Sequence, residues 1–136
     1  MAKEFKAPMV QDFKVEMAEI TDVTTDKTGA TTTNLVKLCE GGTNESKITA
    51  IHFKCQGTSD NATALIFLKQ GTDYLLFDEV FLSAKTSNAT TPSEQNRALY
   101  DDLAIASGTE VYVGVTAIEG TTKWNAFAIM AEYKAV

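Results

Sequence analysis

Long apolar runs, a cysteine framework and a basic stripe are all missing from this 136-residue chain, and each absence removes a class of protein. Apolar stretches such as 64–68 and 74–77 fall far short of the roughly 20 residues that a spanning helix requires, so no membrane span is expected. The twelve Lys and Arg are scattered and outnumbered by eighteen Asp and Glu, giving a net charge of -6. No stripe is left to neutralise a phosphate backbone, and direct nucleic-acid binding is not expected. Two cysteines, Cys39 and Cys55, and one histidine, His52, do not reproduce the clustered donors of a zinc site. The N-terminal Met-Ala-Lys-Glu-Phe-Lys is charged and lacks the apolar core of a secretory signal. The expectation is two reduced, buried cysteines in a chain that stays in the compartment where it is made.

Catalytic constellations are missing too. His52 alternates with apolar residues and has no nearby Ser or Cys partnered with an acid, so a nucleophile, base and orienting acid cannot be assembled around it. The adjacent pairs Asp78-Glu79 and Asp101-Asp102 point to opposite faces of a strand, which suits solvated edges better than acid/base work. Acids such as Asp60 and Asp73 lack the repeated spacing of a calcium loop. No catalytic residue, metal ligand or cofactor is assigned. Asn44, Asn61 and Asn88 each open an Asn-x-Ser/Thr triplet and are read as turn residues.

What the chain does have is alternation. In 110–118, Val111, Val113, Val115 and Ala117 share one face, which is strand and not helix periodicity. Similar segments occur at 12–23, 31–40, 47–56, 62–70, 73–82, 97–105 and 123–133, separated by stretches rich in Gly, Asn, Asp, Ser and Thr. The first of these also fits a helix through Met9, Phe13, Met17 and Ile20; strand is preferred. Gly29 is expected to take a positive φ in the 24–30 turn, and 119–122 to close a hairpin between the last two strands. In 47–56, Thr49, Ile51, Phe53 and Cys55 form the expected core face. A bulge is expected at Asp78-Glu79, and 83–96, with Pro92, reads as an exposed loop. The prediction is an all-β, antiparallel β-sandwich, jelly-roll-like, of about eight strands, with residues 1–11 as an N-terminal arm and 12–136 as one domain.

The order of these landmarks resembles small β-sandwich bacteriophage virion proteins of the capsid-decorating, cementing or head-fibre type. The resemblance rests on Thr24-Thr-Asp-Lys-Thr-Gly29, Gly41-Gly42, Ser46-Lys-Ile-Thr-Ala-Ile-His-Phe-Lys-Cys-Gln-Gly57, Ala64-Leu-Ile-Phe-Leu68, Tyr74-Leu-Leu-Phe-Asp-Glu-Val80 and Leu103-Ala-Ile-Ala-Ser-Gly108. It implies a non-enzymatic structural protein, made in the host cytoplasm and carried in the virion, whose partner is the major capsid protein or another virion protein. The alternative is a head- or tail-fibre component that recognises a host-surface glycan through 83–96, with Trp124, Tyr74 and Tyr100 as a candidate platform against a plain packing role.

Two-sided apolar strands suit burial against copies of the same chain, and a homotrimer is the expected assembly. Its inner faces are expected to be supplied by Ile48, Ala50, Ile66 and Leu68, with Phe5 and Met9 anchoring the arm on a neighbour. The competing reading is that both faces of these strands are covered within one monomer and that the terminus frays.

Overall fold

The computed structural model describes residues 9–135. Its eight strands are β1 (Met9–Ile20), β2 (Val36–Glu40), β3 (Ser46–Cys55), β4 (Ala62–Gln70), β5 (Asp73–Leu82), β6 (Gln95–Ile105), β7 (Glu110–Val115) and β8 (Trp124–Ala135). They form two four-stranded sheets, β1-β8-β3-β6 and β2-β7-β4-β5, antiparallel throughout. Successive strands change sheet at every step except the β4–β5 hairpin, which makes the sandwich a jelly roll. Strand directions send connections 21–35, 56–61, 83–94 and 116–123 to one end and the short 41–45, 71–72 and 106–109 to the other. The first region is strand and not helix, as alternation indicates.

The core lies between the sheets. Val111, Val113 and Val115 of β7 meet Trp124, Ala126, Ala128 and Met130 of β8, Ile51 and Phe53 of β3, and Ala64 and Ile66 of β4, all at 1% exposure or less. Both cysteines are free and buried within this cluster. Burial pushes the Cys39 thiol up to about 12 and raises Cys55 as well.

Several local expectations need correcting. The last two strands do not form a hairpin: β7 pairs with β2 and β4, β8 with β1 and β3. The 119–122 turn is present, with Thr122 N–H donating to the Glu119 carbonyl at 2.9 Å, but it carries the chain from one sheet to the other. Turn residues encode a reversal without encoding whether the apolar faces end side by side or opposed across a core. The second strand is only Val36–Glu40. Residues 21–35 instead form a segment whose Leu35 packs with Leu65 and Phe67 on the outer side of the second sheet. That segment is held by the Asp26 carboxylate, which accepts from Thr28 N–H, Thr28 Oγ1 and Thr31 N–H at 2.8, 2.6 and 2.7 Å.

In β3 a register shift between Ile48 and Ala50 changes the phase of alternation. Ser46 and Ile48 point into the core before it and Ile51, Phe53 and Cys55 after it; Thr49, expected in the core, instead donates its hydroxyl to the Ile129 carbonyl at 3.1 Å. The β5 irregularity falls beside the expected acid pair, where the register skips Phe77. Residues 83–94 are largely exposed yet pinned. Glu94 accepts from Ser83 N–H and Oγ at 2.7 and 2.6 Å, and Asn61 and Asn88 accept backbone N–H groups as turn residues do. Residues 9–11, expected in the arm, pair with 133–135 as the start of β1.

Candidate functional site

The two sheets treat their outer faces differently. On β2-β7-β4-β5, the 21–35 segment, the edge-on pair Tyr74–Tyr112 (centroids 5.1 Å) and the Lys69 ammonium over both rings cover Leu65 and Phe67 completely. On β1-β8-β3-β6, among the described residues, nothing comparable lies over the apolar residues. Because directly paired residues of antiparallel strands project to the same side, the register reads out this face row by row. One row is Val15, Ile129, Ala50 and Leu99, apolar across all four strands. The next is Met17, Phe127, His52 and Arg97, and on the other flank Phe13 stands beside Ala131. Beyond Met17 comes a polar row of Glu19, Asn125, Lys54 and Gln95. Phe13 is 80% exposed, Met17 69%, Leu99 66% and Val15 50%. Among the described residues no element packs on this face from outside, and β1 is an edge strand, so these side chains are left uncovered.

The face is chemically divided. β1 and β8 contribute Phe13, Val15, Met17, Phe127 and Ile129, whereas β3 and β6 add Lys54 and Arg97 around Ala50 and Leu99. Neither of the two central rows contains a carboxylate. A shallow depression of about 420 Å³ lies among Val15, His52, Lys54, Gln95, Phe127 and Ile129. A surface of this kind binds by excluding water from broad apolar area, with the cations fixing register. His52 has Phe127 and Arg97 as its cross-strand neighbours, neither of which can orient it as a base.

A larger groove of about 620 Å³ opens between β1 and β2, with Leu38 and Cys39 among its walls. Its charges pair with one another: Lys14 with Glu132 and Glu16 at 3.0 and 3.3 Å, and Lys37 with Glu40 and Glu110 at 3.0 and 3.4 Å. Burial pulls the Lys14 ammonium down, but its hydrogen bonds to Glu132 and Glu16 outweigh that and hold it above the ordinary lysine value. Mutual neutralisation leaves the groove little to offer a charged ligand. Among the described residues, no group of three or more His, Cys, Asp or Glu is placed to hold a metal ion.

The residues expected to form an oligomer face are distributed otherwise. Ile48 and Ile66 are wholly buried in the core of the single protomer, and Leu68 is partly buried against it. They face the opposing sheet, the competing outcome that alternation left open. Ala50 does belong to the uncovered face, set low between Ile129 and Leu99. Phe5 lies outside the described residues, and Met9 is placed by its backbone pairing with Ala135. The β1 side chains that dominate the face were visible in the sequence as an alternating apolar set. Which side of the strand met water was not.

The aromatic residues considered as a platform do not come together. Trp124 is in the core, Tyr74 packs on Tyr112, and Tyr100 donates its hydroxyl to Asp78 at 2.9 Å beside Phe77.

No family model and no curated protein matches the chain. Among solved structures, it is similar to a chain of the acidic stable capsid structure of Helicobacter pylori bacteriophage KHP30. The two are 10% identical, the match covers 96% of this chain and 98% of that one, and the TM-score is 0.54. A weaker likeness is to a chain of the virus-like particle of the extra small virus of the giant freshwater prawn Macrobrachium rosenbergii. There the identity is 9%, coverage is 98% and 85%, and the TM-score is 0.41. At such identities the first match establishes a shared fold over nearly the whole of both chains.

Proposed function

We propose that this chain is a non-enzymatic bacteriophage virion structural protein that decorates or cements the capsid surface through protein–protein contacts. The observation that carries this reading is the uncovered face of β1-β8-β3-β6, where one row is apolar across all four strands and Phe13, Val15, Met17 and Leu99 are each at least half exposed. The likeness in fold to a chain from a phage capsid supports it. The protein acts in the virion, as a homotrimer seated on the major capsid protein or another virion protein, with Phe5 and Met9 anchoring the N-terminal arm on a neighbour. Bridging adjacent subunits adds buried area across their boundary and raises the cost of separating them under internal pressure. The net charge of -6 keeps unassembled copies apart in solution.

The test is to titrate purified protein onto capsids of the source phage stripped of accessory proteins. Saturation at a fixed ratio to the major subunit is the expected result. Absence of binding, together with retention on a glycan array, would sink the decorating role in favour of a fibre that recognises a host glycan. Residues 83–94, where that fibre would grip, contain no aromatic side chain.

A further inference from the structure

Three of the four sheet edges in this sandwich are protected, and the fourth is not. β2 is five residues long, with a register shift between Lys37 and Cys39. β5 and β6 each break register with their sheet neighbours and are tied to one another: Asn96 Nδ2 donates to the Phe81 carbonyl at 2.7 Å, and the Tyr100 hydroxyl to Asp78 at 2.9 Å. Shortness, bulges and cover are the usual means of keeping a strand edge from recruiting another strand. β1 has none of them. It is twelve residues long without proline, keeps one unbroken register with β8, and is exposed at 11–13, 15, 17 and 19. Among the described residues, no turn, loop or side chain hydrogen-bonds to its backbone on the side away from β8.

We propose that β1 of one copy pairs antiparallel with β1 of a second copy across a two-fold axis through Val15, joining the two β1-β8-β3-β6 sheets into one continuous sheet. An axis of this kind passes through a residue, and the side chains select which. Centring on Lys14 sets Lys14 against Lys14 and Asp12 against Glu16, and centring on Glu16 sets two Glu16 side chains together. Centring on Phe13 opposes Val15 to Gln11, and centring on Met17 opposes it to Glu19. The Val15 centre pairs 11–19 of one copy with 19–11 of the other. It sets Phe13 of each copy beside Met17 of the other, brings the two Val15 side chains together and opposes Lys14 to Glu16. Phe13 and Met17, 80% and 69% exposed in the single chain, each gain an apolar cross-strand neighbour.

A charge on an edge strand ordinarily discourages pairing. Here the Lys14 ammonium already lies 3.3 Å from Glu16 and 3.0 Å from Glu132, so no unpaired ammonium is carried into the contact. Pairing over 11–19 exchanges roughly eight to ten main-chain hydrogen bonds, close to the about ten of a typical interface. Strand addition takes its affinity from the backbone and its register from the side chains. The row Val15, Ile129, Ala50 and Leu99 runs on across the axis into its own copy, so pairing doubles the apolar face and leaves it open for the capsid. The contact joins one copy to one other. It therefore links two of the trimers proposed above and does not build a trimer.

Introduced cysteines test it, since Cys39 and Cys55 are buried and leave the new thiol as the reactive one. Paired residues of an antiparallel ladder have Cα atoms about 4.5 or 5.5 Å apart, within the about 4.4–6.8 Å that a disulfide spans. Val15→Cys should therefore become a covalent dimer on mild oxidation, read by non-reducing electrophoresis. Asp12→Cys and Ala18→Cys should each run as a single chain, because like positions lie about 20 Å apart in this register, and should cross-link when mixed. Circular dichroism checks that each variant is folded. Failure of Val15→Cys to cross-link overturns the pairing, and cross-linking of Asp12→Cys or Ala18→Cys alone overturns the register. Cross-linking of Val15→Cys with none in the mixture also overturns it: Asp12 and Ala18 project to the other side of the strand from Val15, so that result means two sheet faces stacked on each other. Wild type that saturates stripped capsids while no variant cross-links would remove the strand pairing and leave the decorating role in place. Cross-linking by a protein that ignores capsids would do the reverse.

Discussion

Gly29 combines two constraints in one residue: its φ is +83°, and a β-carbon there would run into the backbone carbonyl oxygen of Tyr74. Backbone cannot give way as a flexible side chain can, so Gly29→Ala is expected to destabilise the protein by about 2 kcal/mol in urea unfolding. Nearby, hydrogen bonds to Thr28 and Thr31 hold the Asp26 carboxyl at about 2, below its ordinary 3.8. A depressed folded-state value means that the stabilisation is complete above about pH 4 and lost as pH falls through 2. The Thr28 and Thr31 amide signals should therefore titrate near pH 2, and Asp26→Asn should abolish that titration. The cysteines give a third expectation. With both thiols raised by burial, neither should react with a disulfide reagent at pH 8 until denaturant is added.

At the scale of the element, strand phase decides what a substitution does. Regular alternation puts Ile48 and Ile66 on an oligomer face, from which a lysine would separate subunits and leave folded monomers. The β3 register shift and the opposing sheet place both side chains in the core. Ile48→Lys or Ile66→Lys is accordingly expected to abolish cooperative unfolding altogether, at a cost of several kcal/mol. A folded monomer bearing either lysine would show that the strand faces are assigned wrongly. The free edges of β5 and β6 are tied by the Tyr100 hydroxyl to Asp78 and by the Tyr100–Phe77 ring contact at 5.7 Å. Tyr100→Phe keeps the ring contact and removes the hydrogen bond, for an expected loss of about 1–2 kcal/mol.

For the whole molecule, the asymmetry between the two outer faces matters most. The chain's own 21–35 segment covers Leu65 and Phe67 on one sheet, whereas among the described residues nothing covers the apolar row of the other. If apolar burial on the uncovered face carries the contact between copies, raising salt should weaken assembly at most moderately, because apolar burial is not screened. Light scattering across a salt series checks this. Complete dissociation at moderate salt would show that the charges dominate and the apolar row contributes little.

The sequence by itself determined the class of fold, the approximate strand count, the buried cysteines and the positive-φ turn at Gly29. Each follows from local chemistry: alternation of period two, small polar residues at reversals, and a residue without a β-carbon. It also made Phe13, Val15 and Met17 visible as one apolar side of a strand. Tertiary structure alone decided that the last two strands face each other across the core, that residues 31–35 serve as a cover, and that the β3 register shift turns Ile48 inward. Sheet membership, and with it the side of each strand that meets water, depends on contacts between residues far apart in the chain. A period of two reports that a strand has two sides and leaves open which of them is inside.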